Sequence, residues 1–504
     1  MTETKMRIQA VQIHSLDNVA VAVVPLALGD ELTVGSRRLL VQEEILAGHK
    51  VALRTIKAGE PIMKYGHQIG IATAEIPLGA WVHGHNLKTA LSGELAYSFH
   101  QSLSPKPAFA EKFIGKTFLG YRRKNGRVGT RNEVWIINTV GCVNGLAEQI
   151  AKRASDTYRG IIDGVFSFSH PYGCSQLGDD LENTQKVLAG LMRNPNAGGV
   201  LVIGLGCENN QLKSLLHVAH GVDESRLRFF NSQEVEDEIE SGLALVAELV
   251  DEMKGDVREV CPMSDLVIGM KCGGSDGFSG ITANPLVGRI SDILAAQGGT
   301  AILTEVPEMF GAEHLLMNRC DSTETFQRLV EMINRFKRYF IAHHQPVYEN
   351  PSPGNKGGGI TTLEEKSLGA IQKGGGATVT QILDYGELVT KSGLALLNAP
   401  GNDAVSSTAE TASGATLLLF TTGRGTPLGF PVPTIKVSSN SHIAKKKPNW
   451  IDFNAGALLE GESLESLTEN FVEFILSVAS GNTRTNNEKN GYREIAIWKE
   501  GVTL

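Results

Sequence analysis

Cysteine is scarce in this chain, and long apolar stretches are absent. Six cysteines among 504 residues are too few for a disulfide framework, so we expect free thiols, metal ligands or catalytic groups. No apolar run approaches the roughly 18 residues that a membrane-spanning helix needs. The first residues also lack the basic head and apolar core of a secretory signal. These absences predict a cytoplasmic protein with no membrane partner.

Positive charge is not in excess either. The net charge is -8 and the isoelectric point is about 6.0, whereas a protein that binds nucleic acid needs a basic face to neutralise phosphates. The one dense basic run, the lysines at 445–447, is typical of a solvated loop. The charge pattern therefore excludes nucleic acid as the main partner.

Glycine is the residue in excess, at 56 of 504 positions, or about one in nine where about one in fourteen is usual. In the stretch 265–280, DLVIGMKCGGSDGFSG, an apolar run stops at Cys272 and a glycine-rich loop with Ser275 and Asp276 follows. From residue 121 onward the same order recurs, and an amphipathic helical pattern follows each loop. This alternation predicts parallel strands with crossover helices, in which ligands lie outside the carboxyl ends of the strands.

Composition divides the chain into three regions. Residues 1–95 hold short β-branched runs between glycine turns, which predicts a small β domain. Residues 96–118 hold two prolines and no periodicity, which predicts a linker. Residues 119–504 are predicted to form a large Rossmann-like α/β region with a mainly parallel sheet, in one or two subdomains. Within it, the glycine-rich and polar segment 345–376 is expected at the site, because a long loop of that composition is either disordered or functional.

Four cysteines stand in equivalent places: Cys142, Cys174, Cys207 and Cys272 each follow an apolar run and adjoin a glycine. A single cysteine of this kind is most often a small buried hydrophobe. If the four strands are neighbours in one sheet, however, the cysteines converge on one edge, together with His170 and several acids. Thiolate, imidazole and carboxylate are ligands of iron, zinc and manganese. The chain has no CxxC pair, so the spacing of a zinc knuckle is absent.

Other polar residues at strand ends suit an anionic ligand. His83 and His85 point the same way if they lie on one strand, although two half-exposed histidines at a strand end would give the same pattern. Lys356 and Arg424 are candidate clamps for a carboxylate. A dinucleotide site is not indicated, because an asparagine replaces the third glycine of the fingerprint in GLGCEN at 204–209.

The longer motifs resemble those of the altronate dehydratase and galactarate dehydratase family. They are VGCVNG, FSHPYGCSQLGDD, IGLGCENNQ, KCGGSDGFSGITANP, TEVPEMFGAEHLL, ENPSPGNKGGGITTLEEKSLG, APGNDAVS and FTTGRGTP, with HGHN near the N-terminus. The resemblance implies an SAF-like β-clip domain over residues 1–95 and a homodimer. It also implies conversion of D-altronate to 2-dehydro-3-deoxy-D-gluconate with a divalent metal, Fe(2+) first and Mn(2+) second. Three alternatives stay open. The cofactor is an iron–sulfur cluster on the cysteines, the substrate is another hydroxyacid such as galactarate or sulfolactate, or the protein is a non-catalytic sugar-acid binding protein.

The implied reaction assigns roles to the candidate residues. Removing the C2 proton beside a carboxylate adds negative charge to an anion, so a metal or fixed cations must stabilise the enolate. We expect Glu308 to be the base, Lys356 the acid or clamp, and His85 to close over the substrate. The candidate metal ligands are Cys142, His170, Cys174, Cys207, Cys272 and Glu305. The candidate substrate-binding residues are His83, Asn86, Asn355, Asn402, Asp403, Arg424, Ser275 and Asp276.

Overall fold

The computed structural model describes residues 8–501. Residues 1–7 and 502–504, the ends of the first and last predicted regions, lie outside the described residues. Within the described range, no helix combines the length and the apolar composition needed to cross a membrane.

The N-terminal domain is built of short strands, as predicted. These are β1 (Ala10–Val11), β2 (Val19–Ala22), β3 (Glu31–Val34), β4 (Arg37–Leu40), β5 (Lys50–Ala52), β6 (Pro61–Lys64), β7 (His67–Ala72), β8 (Trp81–Val82) and β9 (Leu87–Lys88). One antiparallel sheet has the order β1-β2-β5-β8, a second has the order β6-β7-β9, and β3 pairs with β4. In β3, Leu32 and Val34 are buried while Glu31 and Thr33 are exposed, the period of two that turns one face of a strand to the core.

A four-stranded parallel sheet forms the first half of the α/β region. Three short elements precede it in the chain: α1 (Ala108–Glu111), β10 (Thr117–Arg122) and β11 (Val128–Gly129). The strands of the sheet and the helices that pack on it are β12 (Glu133–Asn138), α2 (Asn144–Thr157), β13 (Gly164–Ser167), α3 (Gly178–Met192), β14 (Ala197–Gly204), α4 (Leu212–Val218), β15 (Leu227–Asn231) and α5 (Glu238–Met253). The strand order is β13-β12-β14-β15, and each pair is parallel. All of β12 is buried because α2 and α5 pack on one face, against Val134 and Ile136, and α3 and α4 on the other, against Trp135 and Ile137.

A seven-stranded parallel sheet forms the second half. After β16 (Glu259–Pro262), which pairs with β10, come β17 (Val267–Cys272), α6 (Ala283–Ala296), β18 (Thr300–Leu303), α7 (Glu313–Met317), α8 (Thr323–Ala342), α9 (Pro353–Gly357), α10 (Leu363–Ala370), β19 (Val379–Leu383), β20 (Gly393–Leu397), α11 (Asp403–Ala412), β21 (Leu417–Thr422), β22 (Thr434–Ser438), α12 (Ser441–Lys446), β23 (Phe453–Asn454), α13 (Leu464–Ala479) and α14 (Asn486–Asn490). The strand order is β19-β20-β18-β17-β21-β22-β23, with β17 at the centre. The predicted α/β class is confirmed, with two parallel sheets.

Helices α3 and α11 lie between the two sheets and join them. Leu188 of α3, Ala409 of α11 and Phe420 of β21 belong to one core cluster. Where the helices touch, a Cβ on Gly190 would lie 2.5 Å from the carbonyl oxygen of Ala412. Glycine at this position therefore permits an approach that any side chain would prevent.

The predicted linker, residues 96–118, is docked on the α/β region. The backbone N–H of Ser102 donates to the carbonyl oxygen of Asn318 over 2.7 Å, and Gln101 donates to the carbonyl oxygen of Cys320 over 3.0 Å. Ala110 and Phe113 are buried in the main core. The segment is therefore part of the packed structure, and it does not act as a free spacer.

Two buried lysines tie the N-terminal domain to α10. The Nζ atoms of Lys50 and Lys64 lie 2.9 Å and 2.7 Å from the Glu365 carboxylate, and Thr361 donates to the same carboxylate over 2.6 Å. All three charged side chains are almost fully buried. Burial alone would raise the pKa of Glu365, but the charges of Lys50 and Lys64 hold it well below its ordinary value. A triad of this kind contributes to stability only while it stays paired.

Replacing Glu365 by glutamine should lower the free energy of unfolding at pH 7 by about 3 to 5 kcal/mol, because Lys50 and Lys64 would stay buried without a counter-charge. The carboxylate's contribution is present above its ordinary pKa of about 4.3 and is lost as the pH falls toward its depressed value. Denaturant unfolding of both proteins should therefore show a difference that shrinks below about pH 4.

The matched control for this prediction is Glu60→Gln. Glu60 pairs with Arg54 at the exposed surface of the same domain, so its loss should leave the unfolding curve unchanged. Equal destabilisation by the two substitutions would show that the buried triad contributes no more to the free energy of unfolding than the exposed pair does.

Candidate active site

A cluster of buried charged groups and one thiol lies at the carboxyl end of the central strand β17. Its members are Lys271, Cys272, Glu305, Glu308, Lys366 and Lys373, and all are buried or nearly so. Lys271 and Cys272 end β17, and Glu305 and Glu308 lie in the turn after β18. Lys366 lies on α10, and Lys373 lies in the turn that follows α10. The carboxyl edge of a parallel sheet is where crossover loops from neighbouring strands meet, so distant parts of the chain converge here.

Lysines and acids alternate in this cluster. Lys271 Nζ contacts the Glu305 carboxylate and lies 3.1 Å from Asp403 Oδ1. Lys373 Nζ lies 2.8 Å from Cys272 Sγ and 3.2 Å from Glu305 Oε2. Because each buried charge faces an opposite one, the cluster can exist in the interior.

Glu308 occupies the other side of Cys272. Its Oε2 lies 3.4 Å from Cys272 Sγ, and its Oε1 lies 2.9 Å from Lys366 Nζ. Lys366 also donates to the side-chain oxygens of Asn350, over 3.0 Å, and Asn355, over 3.2 Å. Lys366 therefore connects the cluster to the glycine-rich segment 345–376.

The backbone at Glu305 is strained. Its φ is +69°, in the left-handed region that side-chain-bearing residues rarely adopt, and such strain concentrates at functional sites. The next residue, Val306, donates its N–H to the carbonyl oxygen of Ala399 over 3.0 Å, which ties this turn to the loop after β20. The strained turn places both Glu305 and Glu308 on Cys272.

Burial and the neighbouring charges set the protonation of the cluster. Burial alone would raise the pKa of Glu308, but the ammonium groups of Lys366, Lys271 and Lys373 hold it well below its ordinary value. Burial and the charge of Glu305 raise the pKa of Cys272 to about 12. Glu308 is therefore ionised at neutral pH, while the free Cys272 side chain is a thiol.

Cys272, Glu305 and Glu308 could hold a metal ion. Each offers one donor atom, and the three atoms lie within 4.8 Å of one another. The prediction that Cys272 and Glu305 share a site is thus consistent with the geometry, and Glu308, predicted as a base, joins them.

The other predicted cysteines do not lie in this cluster. Cys142, Cys174 and Cys207 follow strands of the four-stranded sheet and are exposed, whereas Cys272 ends a strand of the seven-stranded sheet. The expectation of one shared sheet edge was wrong, because the similar strand-loop pattern occurs in two separate sheets. Both ring nitrogens of the predicted ligand His170 are also engaged, with the Asn138 carbonyl oxygen at 2.9 Å and the Tyr172 N–H at 3.2 Å.

The predicted substrate-binding residues Ser275 and Asp276 lie beside α9. The carbonyl oxygen of Ser275 accepts a bond from Asn355 over 2.8 Å. Asp276 accepts bonds from Ser279, Ser439 and other donors of the loop. Its present contacts therefore hold the glycine-rich loop against the end of β22.

The remaining strand-end candidates fall in two places. Asn402 caps α11 by accepting the N–H groups of Ala404 and Val405, both over 3.1 Å, while Asp403 faces Lys271 in the cluster. Arg424 is exposed and donates to the carbonyl oxygen of Gly354 over 3.1 Å. Lys356 lies on α9, the short helix that also contains Gly354. Together with His83 it lines a cavity of about 440 Å³.

The histidines of the N-terminal domain follow strand β8, which ends at Val82, and they lie in a turn. The expected strand geometry was therefore wrong. His83 stacks on Trp81 with ring centroids 5.0 Å apart, and burial lowers the pKa of His83 to about 4. Asn86 holds the turn by accepting the His83 N–H over 2.9 Å, and His85 is exposed.

The sequence analysis assigned no specific role to the three lysines of the cluster. Lys271 and Lys366 lie within the motifs KCGGSDGFSGITANP and ENPSPGNKGGGITTLEEKSLG, and Lys373 lies in the glycine-rich segment 345–376. A lysine within an otherwise apolar or glycine-rich run was the available signal, because lysine is almost never fully buried unless it is paired.

The fold and the site define an α/β enzyme with a buried acid, thiol and lysine centre. Family models match residues 8–90 (altronate/galactarate dehydratase SAF domain), 120–254 (D-galactarate dehydratase/altronate hydrolase, second domain) and 263–503 (D-galactarate/altronate dehydratase, C-terminal). The chain is 52% identical to altronate dehydratase of Bacillus subtilis, over 98% of this chain and 99% of that protein.

Two further relatives come from Escherichia coli. Identity to its altronate dehydratase is 51%, over 98% of this chain and 100% of the relative. Identity to its galactarate dehydratase (L-threo-forming) is 36%, over 97% and 96%. The chain belongs to the altronate/galactarate dehydratase family.

A neutral acid lies beneath the cluster and offers a test of its electrostatics. Glu410 of α11 is fully buried and accepts the N–H of Met270 over 2.8 Å, while its Oε2 has no partner. Burial, with the charge of Glu305, raises the pKa of Glu410 to about 8. The folded protein therefore carries this group protonated at neutral pH, whereas the unfolded chain ionises it above about pH 4.3.

Replacing Glu410 by glutamine should leave the fold intact, because an amide resembles the protonated acid. Between about pH 5 and pH 8 the contribution of Glu410 to the wild type's free energy of unfolding falls as the pH rises, because only the unfolded chain releases the proton. The stability of the variant relative to the wild type should therefore rise by roughly 1 kcal/mol per pH unit over that range. Unfolding curves at several pH values measure this difference. A constant difference would show that Glu410 is ionised in the folded protein, and Glu410→Ala controls for simple loss of packing.

Proposed function

We propose that this protein dehydrates D-altronate to 2-dehydro-3-deoxy-D-gluconate. The observation that carries the proposal is the ionised Glu308 beside Cys272 and Lys366 at the centre of the carboxyl edge. Identity of 51 to 52% to two altronate dehydratases, against 36% to a galactarate dehydratase, supports altronate as the substrate.

The lysines of the cluster suit the charge that develops in this reaction. Loss of the C2 proton turns a carboxylate into a more highly charged enolate, and preorganised cations stabilise it most in a site without water. We propose that Lys271 and Lys373 supply this positive charge, since both are buried and held protonated by Glu305 and its neighbours.

Glu308 is the proposed base. Its pKa is low in the free protein because three lysines face it, which keeps it ionised but makes it a weak base. A substrate carboxylate that takes up contacts with Lys366 would reduce that stabilisation and raise the proton affinity of Glu308. In this proposal substrate binding itself activates the base.

Lys356, Arg424 and the histidine turn are proposed to bind the rest of the sugar acid. Lys356 and His83 line one cavity with Asn350, and Asn350 accepts a bond from Lys366 of the cluster. A six-carbon chain with its carboxylate at the cluster could extend its hydroxyl groups toward this cavity. Lys356 is the proposed donor of the proton to the departing 3-hydroxyl. His85 is the proposed residue that closes over the substrate.

We propose that Cys272, Glu305 and Glu308 bind a divalent metal ion, with Fe(2+) as the first candidate and Mn(2+) as the second. One thiolate and two carboxylates form a donor set that both metals accept, and the donor atoms are close enough to share one ion. Lys373 and Lys366 already contact these atoms, so a bound cation would replace those contacts. When bound, the metal would act as a Lewis acid on the substrate carboxylate and 2-hydroxyl.

Replacing Glu308 by glutamine should lower kcat by about 10²- to 10⁴-fold, because the amide cannot take the C2 proton. A coupled assay for the 2-keto-3-deoxy acid measures turnover. Metal analysis of the same variant separates loss of the base from loss of bound metal, because Glu308 is also one of the three possible metal ligands. Glu364→Gln is the matched control: Glu364 is equally buried on α10 but bonds Thr89 and Ala90, so activity should persist. Retention of most activity by Glu308→Gln would remove Glu308 from the mechanism.

A substrate panel separates the remaining functions. D-altronate should give a higher kcat/KM than galactarate or sulfolactate, and each product is measured directly. Binding of sugar acids without turnover by the metal-loaded protein would favour a binding protein. We further propose a cytoplasmic homodimer, on the strength of the family resemblance, and sedimentation analysis tests its mass.

A further inference from the structure

Three exposed cysteines lie at one edge of the four-stranded sheet and have no part in the cluster described above. Cys142, Cys174 and Cys207 are exposed, whereas Cys261, Cys272 and Cys320 are buried. Free cysteine is among the most buried residue types, so three exposed thiols at equivalent strand ends call for an explanation. Each is preceded by glycine in this chain, as Gly-Cys.

The strand register puts the three cysteines at nearly the same number of residues beyond paired positions of their strands. In the parallel pair β12 and β14, Asn138 lies opposite Ile203, and Cys142 and Cys207 each come four residues later. In the pair β12 and β13, Ile136 lies opposite Ser167, and Cys174 follows at nearly the same distance as Cys142. Neighbouring strands are about 4.8 Å apart, so the three loops leave the sheet side by side.

Hydrogen bonds hold the three loops together. Gly141 N–H donates to the carbonyl oxygen of Tyr172 over 2.9 Å, and Asn210 N–H donates to that of Gly173 over 3.0 Å. Ser175 N–H donates to the side chain of Asn209 over 2.7 Å. The three cysteine-bearing loops are therefore fastened to one another as well as to their strands.

The two glycines at these contacts cannot be replaced without separating the loops. A Cβ on Gly173 would lie 2.1 Å from the carbonyl oxygen of Thr139, and one on Gly141 would lie 2.8 Å from that of His170. Gly173 also has a φ of +100°, which favours glycine. The close approach of the cysteine loops is thus built into the sequence.

As they stand, the three sulfur atoms are too far apart to bind one zinc ion together. Among residues 8–501, the residues whose donor atoms all lie within 4.8 Å of one another are Cys272, Glu305 and Glu308. The three exposed cysteines do not form such a group, so at least two of their Sγ atoms are more than 4.8 Å apart. Sulfurs on one zinc ion lie at most about 4.6 Å apart, since each Zn–S bond is about 2.3 Å. In an iron–sulfur cluster each thiolate binds a different iron, and the sulfurs are correspondingly farther apart.

We infer that Cys142, Cys174 and Cys207 bind a [4Fe–4S] cluster through three thiolates. Each thiol loses its proton when its sulfur binds iron. Cys142 lies in the turn directly before α2, whose N-terminus favours a thiolate. The fourth iron has no protein thiolate among these three cysteines.

The cysteine edge opens to the same side of the molecule as the buried cluster. α3 begins shortly after Cys174, and α11 begins at Asp403 beside Lys271. The two helices meet near their C-terminal ends, at Gly190 and Ala412. Asp179 at the start of α3 and Asn398, which follows the end of β20, line one cavity of about 360 Å³.

Anaerobic reconstitution of the full-length protein with ferrous iron and sulfide tests the site. The wild type should hold about four acid-labile sulfides per chain, with about four irons in addition to any ion at Cys272, Glu305 and Glu308. It should also show the visible absorbance and electron paramagnetic resonance signal of a cluster. Cys142→Ser, Cys174→Ser and Cys207→Ser should each lose most of these signals. Sulfide near zero in the wild type, or iron bound without sulfide, would overturn the inference.

Buried cysteines supply the matched controls. Cys261→Ala, Cys320→Ala and Cys272→Ser should each keep full sulfide and iron–sulfur absorbance, and loss in Cys272→Ser would move the cluster to the other sheet. Melting curves of the metal-free variants check that folding is intact. Undiminished sulfide in the Cys142, Cys174 and Cys207 variants would also reject the site.

Because sulfide content is measured without substrate, failure of the proposed dehydration and failure of the cluster give different results.

Discussion

Buried charges must be paired, and this constraint governs the molecule at its centre and at its domain boundary. Lys271 and Lys373 are buried at the carboxyl end of β17 only because Glu305 faces both of them. The same rule applies where Glu365 meets Lys50 and Lys64 of the N-terminal domain. A buried ion without its partner would cost several kcal/mol, so each of these groups requires the elements that carry its neighbours.

This pairing links the N-terminal domain to the site. Glu365 and Lys366 are adjacent on α10, and they face opposite partners: Glu365 meets Lys50 and Lys64, while Lys366 meets Glu308. Docking of the N-terminal domain therefore helps to set the position of a lysine in the candidate active site. The domain also brings His83 to the cavity that Lys356 lines.

Much of the fold followed from local patterns. Short apolar runs before glycine-rich loops predicted parallel strands correctly, because a strand covered on both faces is apolar throughout, as in β12. The division into two sheets did not follow, since the strand-loop pattern is the same in both. The linker prediction for residues 96–118 rested on prolines and missing periodicity, and neither feature reports the docking contacts of Ser102 and Gln101.

By itself the sequence determined the fold class, the family motifs and the positions along the chain where chemistry collects. Glu305, Glu308 and Cys272 could be singled out because each follows a predicted strand. Only the tertiary structure decided which strand ends meet, separating Cys272 from Cys142, Cys174 and Cys207 and adding Lys271, Lys366 and Lys373 around it. The physical reason is that motifs report the local path of the backbone, whereas the partner of a buried charge is set by strand order and packing across the whole chain.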